Sequence, residues 1–533
     1  MYKMNKKDKV ENIYLVGGGI ASLSSAVYLI QDGGIKGKNI NIFEESKRIG
    51  GSLDAQNLTS LKGYNMRGIR MFDEKTFTCT FDLMSRIPSL LVPHKTLRET
   101  FIDYNKENKT YSKSRLIKDK KPIDSKPLRL SLKDRFNLIR LLFYRETHLE
   151  NREIKSFFSP SFFKSNFWFE FCTVFAFQSW SSLIEFRRYF IRFIHDFPYL
   201  DTLENLEIAP YNQYESMVLP IVDWLKKQGV NFIINTKVTN LDFETNQNKK
   251  RVKSIHYQED GVLNSITLNE NDYAFVTLGS IVANSSLGSM TEVPPRNYEN
   301  KSGAWTLWEN ISKNNPEFGN PDVFNSHLDK SKWTSFTITF QDPTFFKLIE
   351  EKFIDKEVNA YGGINLIDSN WLMSIVLSYN PYFINQPDHI KLSWGYGLFP
   401  DKKGNFINKK MIDCNGEEIL TELIYHLGFE KDLDKIIKSS VCIPCLTPYV
   451  TSQFLPRAIK DRPLVIPKNS TNLAFLGQYC EIPEDVVFTV EYSVRSAQIA
   501  VYSILGLNKK VSPIYDGIRH LGVIYNALKT IIR

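Results

Sequence analysis

Asn12-Ile13-Tyr14-Leu15-Val16-Gly17-Gly18-Gly19-Ile20-Ala21-Ser22 decides the fold. Residues 12–16 read as a short buried strand, and the glycine turn follows at once. Residues 23–30 continue with apolar side chains at helical spacing, and the small Ser24, Ser25 and Ala26 permit close contact with a sheet. A second strand, residues 39–43, ends in Glu44-Glu45. Strand, glycine turn, helix, strand and acid, in that order, describe a dinucleotide-binding unit. Gly17 permits the sharp turn. Gly19 lets the backbone approach a pyrophosphate, which would sit on the free N–H groups of a helix starting at Ile20 and Ala21. Ser22 replaces a third glycine and is small enough to pack. Glu44 is placed to hold a ribose hydroxyl, with Glu45 beside it. A phosphate loop of the ATPase kind is excluded, because residues 33–38 have the wrong spacing and Asn39 stands where Ser or Thr is needed.

Outward from this unit, Arg48-Ile49-Gly50-Gly51 resembles the extended FAD signature of two-dinucleotide-fold flavoproteins. FAD is therefore the expected cofactor, with Arg48, Gly51 and Ser52 against it. The remaining pieces are scattered along the chain. Residues 218–228 read as a helix, 231–238 as a strand, and 251–257 and 262–268 as alternating stretches. Residues 273–280 read as a buried strand ending in a glycine turn, and residues 473–478 do the same before a helix over about 490–505. These pieces, with the segment after residue 66, bring Arg70, Met71, Val238, Thr277, Gly279, Gly477, Phe488 and Thr489 to the cofactor. The expected fold is α/β: a two-dinucleotide-binding-domain FAD flavoprotein fold with an inserted, mainly helical substrate domain and a C-terminal helical tail. Residues 1–62, 206–290 and 440–510 make the FAD domain. Residues 63–205 and 291–439 make the substrate domain with a lid, and 511–533 the tail. The lysine-rich residues 105–126 read as that lid, or as a plain solvated loop.

Composition narrows the function. The chain has 533 residues, 42% hydrophobic and 13% aromatic, which excludes a disordered, collagen-like or coiled-coil protein. Sixty-seven basic against 59 acidic side chains leave +8, too dilute for nucleic acid. Six cysteines make no disulfide scaffold, so a reducing, cytoplasmic setting is expected. Residues 1–9 are polar and lysine-rich, unlike a secretory leader, and the longest apolar run, 167–180, is broken by Glu170. Cys442-Ile443-Pro444-Cys445 has no second pair and no nearby histidine, so it reads as packed thiols, with no metal. No nucleophile elbow or paired-histidine zinc motif supports a hydrolase.

Several further stretches, in one order, resemble the oleate hydratases, the fatty-acid hydratase family also called myosin-cross-reactive antigens. They include Gly50-Gly51-Ser52-Leu53-Asp54-Ala55, Met66-Arg67-Gly68, Ile87-Pro88-Ser89-Leu90 and Phe186-Arg187-Arg188-Tyr189 with Arg192-Phe193-Ile194-His195. Tyr211-Asn212-Gln213-Tyr214-Glu215-Ser216, Phe318-Gly319-Asn320-Pro321, residues 394–401, residues 451–457 and residues 488–493 complete the set. The resemblance covers about residues 12–507. It implies addition of water to a cis double bond of an unsaturated fatty acid, giving a hydroxy fatty acid. FAD would organise the site without net redox change, with the reduced form the more active. A homodimer and peripheral membrane contact are also implied.

Hydration of an isolated alkene needs an acid for one carbon and a positioned water for the other. The resemblance gives the acid to Tyr189, with Glu185 and Arg192 on roughly the same helix face, and places Gln213 near the double bond. The family's water-activating glutamate falls on Met71, which cannot accept a proton; Asp73 or Glu74 would supply a displaced carboxylate, unless both are exposed loop acids. The family's head-group clamp falls on Val376, Ser378 and Tyr382, leaving Ser378 and Tyr382 as donors for the substrate and casting doubt on oleate itself. Residues 514–533 read as a basic amphipathic helix. It either lies on an anionic membrane or docks on the protein or on a second copy. Two alternatives stay open: a flavin-dependent lipid oxidoreductase or isomerase, and a non-catalytic flavin- and fatty-acid-binding protein.

Overall fold

A computed structural model describes residues 10–59, 62–112, 115–298, 301–353 and 363–532. Residues 1–9, on which the leader reading rests, and Arg533 lie outside these. The dinucleotide unit forms as its sequence requires. Strand β1 (Ile13–Val16) enters the glycine turn and helix α1 (Ile20–Gln31), and β2 (Ile40–Phe43) returns beside β1. With β3 (Asn231–Ile233), β4 (Tyr273–Thr277) and β5 (Leu473–Leu476) they make a parallel sheet in the order β5-β4-β1-β2-β3. β1, β2, β4 and β5 are short, mostly apolar and largely buried, as expected of a sheet covered on both faces, while the edge strand β3 is half exposed. Helix α3 (Val490–Leu505), which follows β5, packs on α1. Residues 236–246, 249–259 and 262–267 form an antiparallel meander.

The inserted part divides in two. Its first half is helical, as expected, and includes α2 (Leu183–Arg192). Its second half carries helices too, among them residues 303–312, 344–353 and 416–427, but interleaves them with strands that were not expected: residues 333–340, 363–366, 373–377 and 391–397 belong to an eight-stranded sheet. Short apolar runs do not separate buried strand from buried helix, and Trp333–Phe340, with aromatic and β-branched residues throughout, is buried on both faces. Residues 286–287 and 440–447, assigned from sequence to the FAD domain, also join this sheet. So do Leu116–Lys118 and Lys121–Pro122 at its edge. The lysine-rich stretch is therefore not a free lid here. Buried Leu116 and Ile117 tie it down, while exposed Lys118 and Lys121 mark the sheet edge.

Alternation sets the two faces of this sheet. Phe336, Ile338 and Phe340 enter a second apolar core with residues of the helix Gly416–Leu427. Thr337 and Thr339 point the other way, and their hydroxyl oxygens accept from the N–H groups of Met66 (3.2 Å) and Tyr64 (3.0 Å). This pins the start of the loop at residues 67–74. Cys442 and Cys445, three apart on one strand, fall on opposite faces and cannot share a metal; both are buried free thiols.

The tail residues Leu521–Ile532 form helix α4, docked by Ala527 and Ile531 against residues 194–199. Among the described residues no helix is long and apolar enough to cross a membrane.

Candidate active site

Two cavities meet where the sheets adjoin. The first is a cleft of about 670 Å³ above the parallel sheet. Gly17, Gly19, Ile20, Ala21, Glu44, Glu45 and Arg48 line one side, and Gly51, Ser52, Val238, Thr277, Gly279 and Gly477 close it. Ser22 is buried just behind, its hydroxyl 3.4 Å from Thr277 Oγ1.

The cleft fits a dinucleotide. A Cβ on Gly19 would meet nothing within 4 Å, so the space before it is open. Gly19 caps α1 without a side-chain acceptor, and the first turn holds no acid, so its N–H groups are free for a pyrophosphate. Gly17 has φ +95°, and a Cβ there would lie 3.2 Å from Thr277, so only glycine suits the turn. Glu44 does more than wait for a ribose: its carboxylate accepts from Gly18 N–H (2.7 Å) and Ser46 N–H (2.8 Å), which braces the turn. Glu45 accepts from Gly303 N–H (2.8 Å). Arg48 lies 3.9 Å over the Tyr214 ring and pairs with Asp54 at 2.9 Å. Ser302 and Gly303, at the start of a second helix facing the cleft, were missed; only their Ser-Gly capping pattern could have signalled them.

The second cavity, about 230 Å³, is mainly apolar and shares Arg67, Ile281 and Val282 with the cleft. Arg70, Met71, Phe488 and Thr489, expected at the cofactor, line this cavity and not the cleft. Arg70 donates to Ser52 O at 2.8 Å, and burial lowers its pKa to about 10, so it remains charged at neutral pH.

Tyr189 is on this wall. Ser182 caps α2, accepting from Glu185 N–H, and the apolar face of the helix turns Phe186, Tyr189 and Phe193 inward. Phe175, Phe177 and Phe454 surround the phenol ring at 4.9, 5.1 and 5.7 Å between centroids. Its oxygen accepts from Phe488 N–H at 2.9 Å. Among the described residues its own proton has no acceptor. Burial pushes its pKa well above the phenol range, opposed by that N–H, so the group stays protonated. Glu185 and Arg192 do not touch the phenol. Glu185 takes Arg457 and Arg462, Arg188 takes Glu146 and Glu481, and Arg192 takes Asp485. This buried ionic network holds α2 to the segments that carry Phe488.

The candidates for water separate cleanly. Glu74 is half exposed and paired with Arg98 at 2.7 Å, away from the cavity. Asp73 lines the cavity but is fully engaged by Thr76, Lys75 N–H and His195, which hold it below the usual carboxylate range against the effect of burial. Asp196, which the sequence did not single out, lines the same cavity. Its Oδ2 lies 3.4 Å from His195 Nε2 and accepts no hydrogen bond. Burial raises its pKa to about 6, opposed by His195 and reinforced by Asp73.

The expected substrate donors face elsewhere. Ser378 gives its proton to Leu392 O (2.8 Å), and the Tyr382 hydroxyl reaches, among the described residues, only Gln213, at 3.5 Å. Neither is on the cavity wall, although Val376 is. Gln213 also stands behind the wall, its amide within 3.1 Å of Gly68 O and Arg70 N in the orientation that satisfies both. It props the loop at residues 67–71 from outside.

The MCRA family model matches residues 10–502. The oleate hydratase of Streptococcus pyogenes serotype M49 (strain NZ131) is 40% identical over 520 residues, spanning 95% of this chain and 88% of its own length. The linoleate hydratase of Lactiplantibacillus plantarum is 33% identical over 545 residues, 94% of this chain and 95% of its own. Among solved structures, cyclohexylamine oxidase from Brevibacterium oxydans IH-35A shares the fold at a TM-score of 0.53 and 11% identity, over 93% of this chain and 99% of that one.

Proposed function

The chain belongs to the MCRA family, and from that premise we propose that it is an FAD-dependent fatty-acid hydratase, adding water to a cis double bond of an unsaturated, oleate-like fatty acid. The observation that carries this is Tyr189: a protonated phenol, its oxygen fixed by Phe488 N–H and its proton uncommitted, on the wall of an apolar cavity beside a dinucleotide cleft. The phenol protonates one alkene carbon, and the Phe488 N–H donor is aimed where negative charge then develops. Water attacks the other carbon and loses its proton to the Asp73–His195–Asp196 trio, with Asp196 the uncommitted oxygen. Met71 keeps its place on the wall without taking the proton.

The residues of the cleft fit FAD, with Gly19 and the start of α1 at the pyrophosphate and Glu44 and Arg48 toward the adenosine side. When bound, FAD would supply a charge-bearing group that organises the site, and we propose its reduced form as the more active. Overall redox state is unchanged by hydration, which separates this proposal from a lipid oxidoreductase. The test is anaerobic incubation with photoreduced FAD and a panel of cis-monoenoic acids in H₂¹⁸O. Gain of one labelled water, lost in Tyr189→Phe, supports it. Flavin cycling with substrate, or binding without any adduct, overturns it in favour of the oxidoreductase or the binding protein.

We also propose peripheral membrane contact through the tail. Leu521 is 84% and Tyr525 67% exposed on α4, and Leu132 and Phe136 are exposed on the helix Leu132–Leu142. Arg135 of that helix donates to Ile532 O, so the two helices adjoin. A second copy covering the same patch, as in a homodimer, is the competing outcome.

A further inference from the structure

We propose that Arg115, Asn365 and Trp394 anchor the substrate's carboxylate at the sheet-side end of the apolar cavity, resting on the fatty-acid reading of that cavity. Ser378 and Tyr382 leave the head group without a holder, so the donors that do face this space decide the matter.

Arg115 immediately precedes the strand Leu116–Lys118, and its carbonyl accepts from Asn365 N–H at 2.9 Å. Asn365 lies opposite Ser374, Ser374 opposite Tyr396, and Val376 opposite Trp394. These residues share one sheet face, and all line the cavity. Arg115 is 2% exposed and donates to Glu170 O at 3.3 Å. Its Nε has no acceptor. Neither has Asn365 Nδ2 nor Trp394 Nε1, in side chains that are themselves buried. Three unused N–H donors of one cavity end are unusual in an interior where buried polar groups are nearly always paired.

The charge is also unbalanced. Among the described residues no acid makes an ion pair with Arg115 within 4 Å. Glu170 is the nearest acid in effect, with Asp201 contributing less. Burial pushes the Glu170 carboxyl up to about 8, so at neutral pH it is mostly protonated. A buried guanidinium without a partner is costly, and an incoming carboxylate supplies both the missing charge and the missing acceptors. The rest of the cavity wall offers the alkyl chain Phe171, Phe175, Phe193 and Phe197. Arg67 and Arg70 serve the cleft side, where Arg67 is shared and Arg70 is tied to Ser52 O; a further cationic, donor-rich group on the sheet face, with an aromatic wall beside it, is the complement of a free fatty acid, not of an ester or an amide.

The test compares oleic acid with methyl oleate on the FAD-loaded full-length protein, by equilibrium binding. Wild type should prefer the acid by about 10-fold or more. Arg115→Gln should weaken the acid by roughly 30-fold or more and leave the ester within about twofold. Trp394→Phe keeps the ring and removes one donor; it should weaken the acid several-fold and spare the ester. It serves if Arg115→Gln fails to fold. Equal loss of acid and ester in either folded variant, or unchanged acid binding, overturns the anchor while leaving the cavity assigned. Failure of wild type to bind either head group overturns the fatty-acid reading of the cavity, and the anchor with it.

Discussion

Tyr189 and Asp196 divide the proposed chemistry, and each can be removed with little change of shape. Tyr189→Phe takes the proton and keeps the ring among Phe175, Phe177 and Phe454. Hydration should fall by about 10²-fold or more while FAD content and melting temperature hold. Asp196 must be ionised to accept a proton, and its folded pKa is raised to about 6, so the rate should climb as pH rises through 6. Asp196→Asn should lower the plateau and erase that limb; a profile of unchanged shape would remove Asp196 from the mechanism. Tyr189 was legible in the sequence through the Arg-Arg-Tyr stretch. Asp196 was not, since a single aspartate after a histidine carries no pattern until the fold closes it against Asp73. Arg115 was hidden for the same reason: it looks like one more charge in a lysine-rich stretch, and only the fold, which hydrogen-bonds its carbonyl to Asn365 N–H, buries it on the cavity wall.

At the scale of elements, the glycine turn separates cofactor binding from stability. Gly19→Leu puts a side chain into open space, so the fold should tolerate it, whereas FAD binding should weaken by more than about 10-fold. Unaltered FAD affinity would move the pyrophosphate elsewhere. The packing of α2 makes the opposite case. Glu481, buried between Arg188 and Arg457, has its pKa lowered to about 2. A carboxylate depressed below its ordinary value of 4.5 contributes stability that is complete above 4.5 and lost as pH falls toward 2. Urea midpoints should therefore drop over that window. Glu481→Gln should cost about 3–5 kcal/mol at pH 7, because it leaves two buried guanidinium groups short of charge, and should flatten the acid response. The parallel sheet and α1 were readable from sequence because each segment carries its own local signal of apolar run, glycine and acid. The eight-stranded sheet was not. Its strands find partners across long stretches of chain, and no local pattern records pairing.

For the whole molecule, the exposed patch shared by α4 and the helix Leu132–Leu142 gives a prediction free of the active site. Leu521→Asp with Tyr525→Asp should abolish sedimentation with anionic phosphatidylglycerol vesicles and leave turnover of dispersed substrate unchanged. Loss of a dimer in the same variant, with vesicle binding intact, would give the patch to a second copy. The strand order β5-β4-β1-β2-β3 has a different consequence, one that belongs to the making of the chain. β5, which covers the edge of β4, is synthesised about 200 residues after it. At ~5–20 residues per second that gap takes a ribosome roughly 10 to 40 seconds. Through that interval the nascent protein holds an open, apolar sheet edge, and α1 waits for α3. Completion of the nucleotide-binding half therefore waits for the second inserted segment to be made, and a chain cut short before β5 is a sticky fragment for chaperones and proteases, not a smaller working domain.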